Sequence, residues 1–252
     1  SSTSRGLGDV YKRQHLFKSK SLTTIMTKLL NCKYRFGMTG TLDGTQTHRL
    51  VLEGLFGKVE KVTSTKELMD KDTLASLKIK CIVLKHKEDE CKIVKDLKYS
   101  EELQYIVAHK TRNDFITTLC DKLTGNTLCL YQLVEKHGLV LYNMMKDFDR
   151  KVFFIHGGTD TETREEIRAI TEKETNAIIV ASYGTFSTGI NIRNLHNIVF
   201  ASPSKSRIRV LQSIGRGLRK SDKGDIQTTL LDISDDFTYK AVSYTHLRAH
   251  ET

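Results

Sequence analysis

The sequence predicts an α/β fold built on a parallel β-sheet, and three observations predict it. Short apolar runs recur from Asn126 onward. Segments with helical spacing separate them. Over 252 residues, 38% hydrophobic and 28% charged residues supply a packed core and argue against wholesale disorder. Apolar strands alternating with helices read as βαβ units, whose strands are covered on both faces.

Leu16 to Leu30 has apolar residues at 22, 25, 26, 29 and 30, a helical spacing. Tyr34 to Thr41 reads as a short strand running into a glycine turn. A helix is expected over Thr47 to Leu55, ending near Gly57 as a C-terminal cap. Lys58 to Lys71 is polar and poor in large apolar residues, and the domain boundary is placed there. Leu77 to Leu84 alternates in part and predicts a strand, while Glu90 to Lys98 predicts a second strand or an exposed loop. Ser100 to Leu123 is mostly helical, with apolar residues at 103, 106, 107, 115, 116 and 119. Strands are then expected at 126–131, 152–155, 177–181, 196–201 and 228–233. Helices are expected at 134–145, at 161–171 with Thr161 as its cap, and at 206–218.

Forty Lys and Arg against thirty Asp and Glu give a net charge of +10. That balance suits a polyanion such as nucleic acid, although a solvated basic surface gives the same number. No stretch approaches the length of a transmembrane helix, so no membrane partner is expected. Five cysteines at 32, 81, 91, 120 and 129 show no C-x-x-C spacing. They read as free thiols in a reducing cytoplasm, with no zinc or disulfide framework.

Both ends are expected to be foreign to the protein. Asp9-Val10-Tyr11-Lys12-Arg13-Gln14 can be encoded by GATGTGTATAAGAGACAG. The opposite strand of that DNA, read from its third base, encodes Val-Ser-Tyr-Thr-His, the residues at Val242 to His246. The string resembles a transposon end used in sequencing-library preparation. Residues 1–14 and 242–252 are therefore read as adapter-derived tails, expected to pack poorly, and the protein as lacking its true N-terminus. The first tail carries three basic and one acidic residue and the second one of each, so the remainder keeps a balance of +8.

The most specific stretch is Val210 to Lys220. On a helix, Gln212, Arg216 and Arg219 fall within about 60° of one another. Leu211, Ile214 and Leu218 form a stripe on the other side. Two arginines one turn apart repel unless an anion lies near them, and guanidinium forks fit phosphate oxygens. A solvated basic helix is the competing reading.

Gln212-x-x-Gly215-Arg216-x-x-Arg219 resembles motif VI of the superfamily-two helicases. Ala181 to Asn191 (Ala-Ser-Tyr-Gly-Thr-Phe-Ser-Thr-Gly-Ile-Asn) resembles motif V, and Phe36 to Leu42 with its Thr-Gly-Thr resembles motif III. His15-Leu16-Phe17-Lys18 resembles the residues that come after the acidic pair of a D-E-x-H box. Order and spacing agree across nearly all of 15–235. Leu52 to Gly57 and Ser182 to Gly189 are similar to the UvsW-type phage recombination helicases. The resemblance implies two RecA-like domains with nucleotide in the cleft between them and DNA across their tops. Residues 15–65 would be the tail of the first domain, and 72–241 a RecA-like helicase C-terminal domain.

The resemblance also assigns roles. Arg219 would be an arginine finger on the γ-phosphate, with Arg216 assisting and Gln212 orienting phosphate or water. Gly189 and Asn191 would contact the nucleotide. Thr39, Gly40 and Thr41 would couple nucleotide state to DNA grip, and Ser182 and Thr185 would contact DNA phosphates. ATP and Mg²⁺ are the implied cofactors and single-stranded or branched DNA the implied partner, in a phage-encoded enzyme of the host cytoplasm acting in recombination, replication or repair. Departures are equally specific. The sequence has no G-x-x-x-x-G-K-[ST] loop. The acidic pair for Mg²⁺ should precede His15, where adapter sequence stands, and no metal ligand is assigned within the chain. Asn191 stands where many relatives carry Asp. The chain is thus expected to be inactive alone and part of an ATP-dependent DNA helicase or translocase. The alternatives are a non-catalytic nucleic-acid-binding module of the same fold, and a DNA-stimulated ATPase that does not unwind.

Overall fold

The computed structural model describes residues 9–12, 20–29, 31–38, 46–62, 77–189, 192, 194–203 and 227–237. The chain divides into two compact units, Ser1–Ser64 and Thr65–Thr252.

In the first unit, β1 (Asp9–Lys12) and α1 (Lys20–Lys28) are followed by β2 (Arg35–Met38) and α2 (Gln46–Phe56). Met26 and Leu52 form a small buried core with Leu29, Leu55 and Phe56 packed against it. Gly57 ends α2 as expected: its φ is 90° and its N–H donates to the Glu53 carbonyl at 2.8 Å. The expectation that residues 1–14 pack poorly fails at β1, which pairs in parallel with β2 from Asp9 opposite Arg35 to Lys12 opposite Met38. The physical reason is that a ladder is made by backbone groups, and an extended segment of almost any sequence can complete an open strand edge.

The second unit begins with β3 (Leu77–Leu84), then α3 (Glu88–Lys95), α4 (Tyr99–Ala108) and α5 (Lys110–Lys122). Strand β4 (Thr127–Tyr131) leads through a π-turn, Val134–Gly138, into α6 (Leu139–Met145). There follow β5 (Val152–Ile155), α7 (Thr161–Lys173), β6 (Ile178–Ser182), α8 (Tyr183–Gly189), β7 (Asn197–Phe200) and β8 (Thr228–Asp235). The six strands β3 to β8 form one sheet in the order β3-β8-β7-β4-β6-β5, and every pair is parallel.

Alternation along the strands builds two cores. Leu128, Leu130, Ile179, Ala181, Ile198 and Phe200 face Ile167 of α7 and Tyr183 and Phe186 of α8. Cys129, Tyr131, Ile178, Val180 and Val199 face Ile116 and Cys120 of α5 and Leu141 and Met145 of α6. Every residue of β4, β6 and β7 is buried, as a central strand covered on both faces requires. The strands therefore read as continuous apolar runs, not as alternating ones.

Three local expectations are corrected. The segment predicted as strand or loop from Glu90 is helix α3. Its signals are Glu88, Asp89 and Glu90 in the first turn, Lys92 and Lys95 in the last, and the Glu90 carboxylate accepting from the Lys87 N–H at 3.2 Å. The single helix expected over 100–123 is two, broken at His109, whose ψ is 111°. The His109 ring accepts from the Arg112 N–H at 3.3 Å and so caps α5. Finally Asp160, not Thr161, caps α7, with a carboxylate oxygen 2.8 Å from the Thr163 N–H.

The amino-terminal end of the sheet is tied by Asn126, which is fully buried. Its side-chain amide donates to the carbonyls of Thr171, Glu174 and Asn194, and its oxygen accepts from the Ala177 N–H. This leaves the opposite, carboxyl end of the strands as the functional one, as is general for open parallel sheets.

Candidate functional site

The candidate site lies at the carboxyl ends of β4 to β8. Strand β6 ends at Ser182, and α8 starts at once. Ser182 Oγ accepts from the Thr185 N–H at 3.2 Å and lies 2.7 Å from Thr185 Oγ1, so it acts as the cap of α8. Both residues are buried. The structure thus brings together the two hydroxyls singled out as DNA contacts, and what it displays of them is mutual hydrogen bonding. Gly184, between them in sequence, is exposed.

From α8 a hydrogen-bonded chain crosses the sheet end. Tyr183 O–H donates to the Ser202 carbonyl at 2.9 Å, and its ring meets Phe200 edge-on at 5.6 Å. Ser202 Oγ accepts from the Gln132 N–H at 3.1 Å and lies 2.7 Å from His137 Nδ1. His137 Nε2 is 3.2 Å from Asn113 Oδ1. The Asn113 amide nitrogen donates to the Val107 carbonyl, so its oxygen is the acceptor for His137 Nε2–H. His137 Nδ1 therefore carries the lone pair and accepts from the Ser202 hydroxyl. Burial, and then the nearby Arg112 charge, hold this imidazole neutral, with its pKa pushed down to about 3.

Arg112 secures the neighbouring strands. Only 1% exposed, its Nε lies 3.0 and 2.8 Å from the two Asp235 carboxylate oxygens, and its Nη1 donates to the Ala201 carbonyl at 2.7 Å. Ala201 and Ser202 are thus held from three sides at the exit of β7, where the chain continues toward 206–218.

At the end of β5, His156 Nδ1 accepts from the Gly158 N–H at 3.0 Å, and the His156 N–H donates to Thr159 Oγ1 at 3.1 Å. Arg164 reaches back to the carbonyls of His156 and Gly157. The Asp160 carboxyl, held low by hydrogen bonds from Thr163, already occupies the amino end of α7. That negative charge argues against an anion site at this helix end.

Gln212, Arg216, Arg219, Asn191, Thr39, Gly40 and Thr41 lie outside the described residues, as do the helix expected at 206–218 and the tail 242–252. Gly189 is described as the last residue of α8. The residues that local spacing does not reveal are Arg112, His137, Ser202 and Asp235, and a further group of His86, Glu90 and His109. Arg112, His137, Ser202 and Asp235 meet partners far away in sequence through the sheet order, whereas His86 and Glu90 stand four residues apart and meet His109 at the start of α5. Among the described residues no helix is long and apolar enough to cross a membrane.

Comparison with known proteins agrees with this fold. Residues 110–221 match the helicase conserved C-terminal domain. The chain is 36% identical over 242 residues to the ATP-dependent DNA helicase UvsW of Enterobacteria phage T4, covering 92% of this chain and 48% of that protein. The crystal structure of T4 UvsW superposes with a TM-score of 0.59 and 31% identity, over 96% of this chain and 51% of that one. S. cerevisiae Dbp5, solved bound to RNA and ADP BeF3, superposes with a TM-score of 0.58 at 14% identity, over 95% of this chain and 55% of that one, a likeness of fold. The chain spans about half the length of the curated relative it matches.

Proposed function

Since the chain belongs to the superfamily-two helicases of the UvsW type, we propose that it is the C-terminal part of an ATP-dependent DNA helicase or translocase. The observation that carries this reading is the end of the parallel sheet. There β6 turns through a capped helix, and the exit of β7 is pinned by Tyr183, His137 and Arg112 just ahead of Gln212-x-x-Gly-Arg-x-x-Arg219.

In this reading residues 15–65 are the tail of the first motor domain and 72–241 the second, with 1–14 and 242–252 as adapter-derived tails. Arg219 places its guanidinium on the γ-phosphate as charge develops in the transition state, Arg216 assists, and Gln212 orients phosphate or water. Gly189 and Asn191 lie against the nucleotide. Thr39, Gly40 and Thr41 pass its state to the DNA grip. Ser182 and Thr185 approach DNA phosphates, which requires the hydroxyls to exchange their mutual bond for a phosphate oxygen. The polyanionic partner is single-stranded or branched DNA, consistent with the net charge of +10. The setting is the cytoplasm of a phage host, in recombination, replication or repair.

Among the described residues, the carboxylates Asp160 and Asp235 do not fit Mg²⁺. At the strand ends, Asp160 is held by Thr163 and Asp235 by Arg112 and His86. No Gly-Lys-Thr or Gly-Lys-Ser loop is present to hold the β- and γ-phosphates.

The test is Arg219→Ala in the intact enzyme. Steady-state ATP turnover should fall roughly 10³-fold or more, as loss of an arginine finger does. The ATP concentration for half-saturation should move far less, because ground-state binding rests on the other domain. If turnover survives and only DNA affinity drops, in a salt-sensitive way, the helix is a DNA-binding surface and the finger assignment is wrong. Turnover without strand separation in the unaltered enzyme would support the non-unwinding ATPase instead.

A further inference from the structure

A second cluster adjoins the strand-end machinery through Asp235, at the corner where β3, α3, α5 and the end of β8 meet. We propose that His86 Nδ1, one carboxylate oxygen of Glu90 and His109 Nε2 form a binding site for a divalent transition-metal ion of borderline softness, such as Zn²⁺, which fastens this corner of the second unit.

The donor atoms already converge. One from each residue lies within 4.8 Å of the others. His109 Nε2 is 3.4 Å from one Glu90 oxygen, and His86 Nδ1 is 3.9 Å from the other. Ligand atoms about 2.0–2.1 Å from a tetrahedral ion stand about 3.3 Å apart, so side-chain adjustments of an ångström or so would close the site. Two imidazoles and one carboxylate leave a fourth position for water, a donor set that suits zinc.

The proton assignments favour a cation at His86. Asp235 has both oxygens against the buried Arg112 Nε, so it is a carboxylate and can only accept. His86 Nε2, 3.0 Å from Asp235 Oδ1, is therefore the donor. With a single proton, on Nε2, the ring turns its Nδ1 lone pair toward Glu90. A carboxylate that holds the far nitrogen of a ligating histidine is the usual outer support of a metal site. The ring plane is also fixed, because Phe237 stacks on His86 at 3.5 Å and 16°. His86 and His109 side chains are 6% and 15% exposed, so the ion would be largely shielded from water. The Glu90 carboxylate, oriented by the Lys87 N–H at 3.2 Å, supplies the negative charge.

His109 carries the cost of this arrangement. Its Nδ1 accepts from the Arg112 N–H at 3.3 Å, and metal on Nε2 would leave the proton on Nδ1. That long cap bond would be exchanged for the metal bond. The competing occupant is a proton shared among the same three residues.

The test uses the 252-residue chain, stripped of metal and titrated with Zn²⁺ by calorimetry. One event of unit stoichiometry is expected, weakened at least tenfold by His86→Gln, by Glu90→Gln and by His109→Gln. It should survive in the control His246→Ala/His250→Ala, which removes the other closely spaced histidine pair. X-ray absorption on the unaltered zinc-loaded chain guards against variants that fail to fold. It should show nitrogen and oxygen ligands at about 2.0–2.1 Å, whereas sulfur near 2.3 Å would place the ion on cysteine. The assignment is overturned by no saturable binding, by binding that survives His86→Gln, by loss only in the tail-histidine control, or by sulfur ligation.

Discussion

His137 illustrates how a single side chain fixes the conditions under which the second unit is stable. It is fully buried between the Ser202 hydroxyl and Asn113 Oδ1, with the Arg112 charge nearby. Its pKa falls from an ordinary 6.5 to about 3 in the fold. Below pH 6.5 the unfolded chain takes a proton that the folded one refuses, so the unfolded state binds more protons and stability rises with pH. The contribution is fully present above about 6.5 and is lost as pH falls toward 3. The slope is on the order of 1.4 kcal/mol for each pH unit within that window. A His137→Gln variant should be less stable than the parent at pH 7, and the difference should shrink between pH 6.5 and 4 in denaturant titrations. A difference that stays constant across that range would mean that His137 is not held neutral. None of this was legible in the sequence, where His137 is one polar residue in a helix-like stretch. Its partners stand 24 and 65 positions away and meet it only through the sheet order.

Among the elements, the central strands were the most legible and the capped helices the least. Strands β4, β6 and β7 appear in the sequence as apolar runs because both their faces are buried. Helix α3 has little apolar content, and charge placement and a capping glutamate define it instead. The break at His109 is set by a ring nitrogen capping the next helix, which no periodicity reveals. The turn between α5 and β4 shows the same economy of local signals. Arg150 gathers the carbonyls of Cys120, Leu123 and Gly125 there, tying the end of α5. Gly125 sits at φ 89°, and a Cβ on it would lie 2.5 Å from the His196 ring. Gly125→Ala therefore meets two penalties, a left-handed backbone and a clash against a ring that itself accepts the Asn126 N–H. The variant should lose about 2 kcal/mol or more in equilibrium unfolding of the second unit. A loss within about 0.5 kcal/mol would show that the turn relaxes freely.

At the scale of the whole molecule, the alternation of strands and helices was legible well before any geometry, and the stretch proposed as motif V follows directly on an apolar run that is strand β6. What joins the strand ends was not, since Arg112, Ala201 and Asp235 are brought together only across the register of the sheet. The same scale decides what the 252 residues can do alone. Phosphoryl transfer needs groups that cradle the β- and γ-phosphates and hold the metal ion, together with groups that meet the charge of the transition state. The sequence offers candidates for the second set in Gln212, Arg216 and Arg219, but has no G-x-x-x-x-G-K-[ST] for the first. A face with two arginines attracts a triphosphate but does not align a water against its γ-phosphorus. The purified chain should therefore show no DNA-stimulated ATP turnover above a control without protein. It should still bind single-stranded DNA, because that attraction rests on charge spread over the chain, and the affinity should fall steeply as salt rises. A phosphate-release assay and DNA binding at two salt concentrations, on one preparation, separate the two halves of the argument. Turnover stimulated by DNA would mean that this chain holds phosphate and metal by residues other than those of the loop it lacks. Loss of DNA binding with an intact fold would place the proposed DNA grip outside these 252 residues.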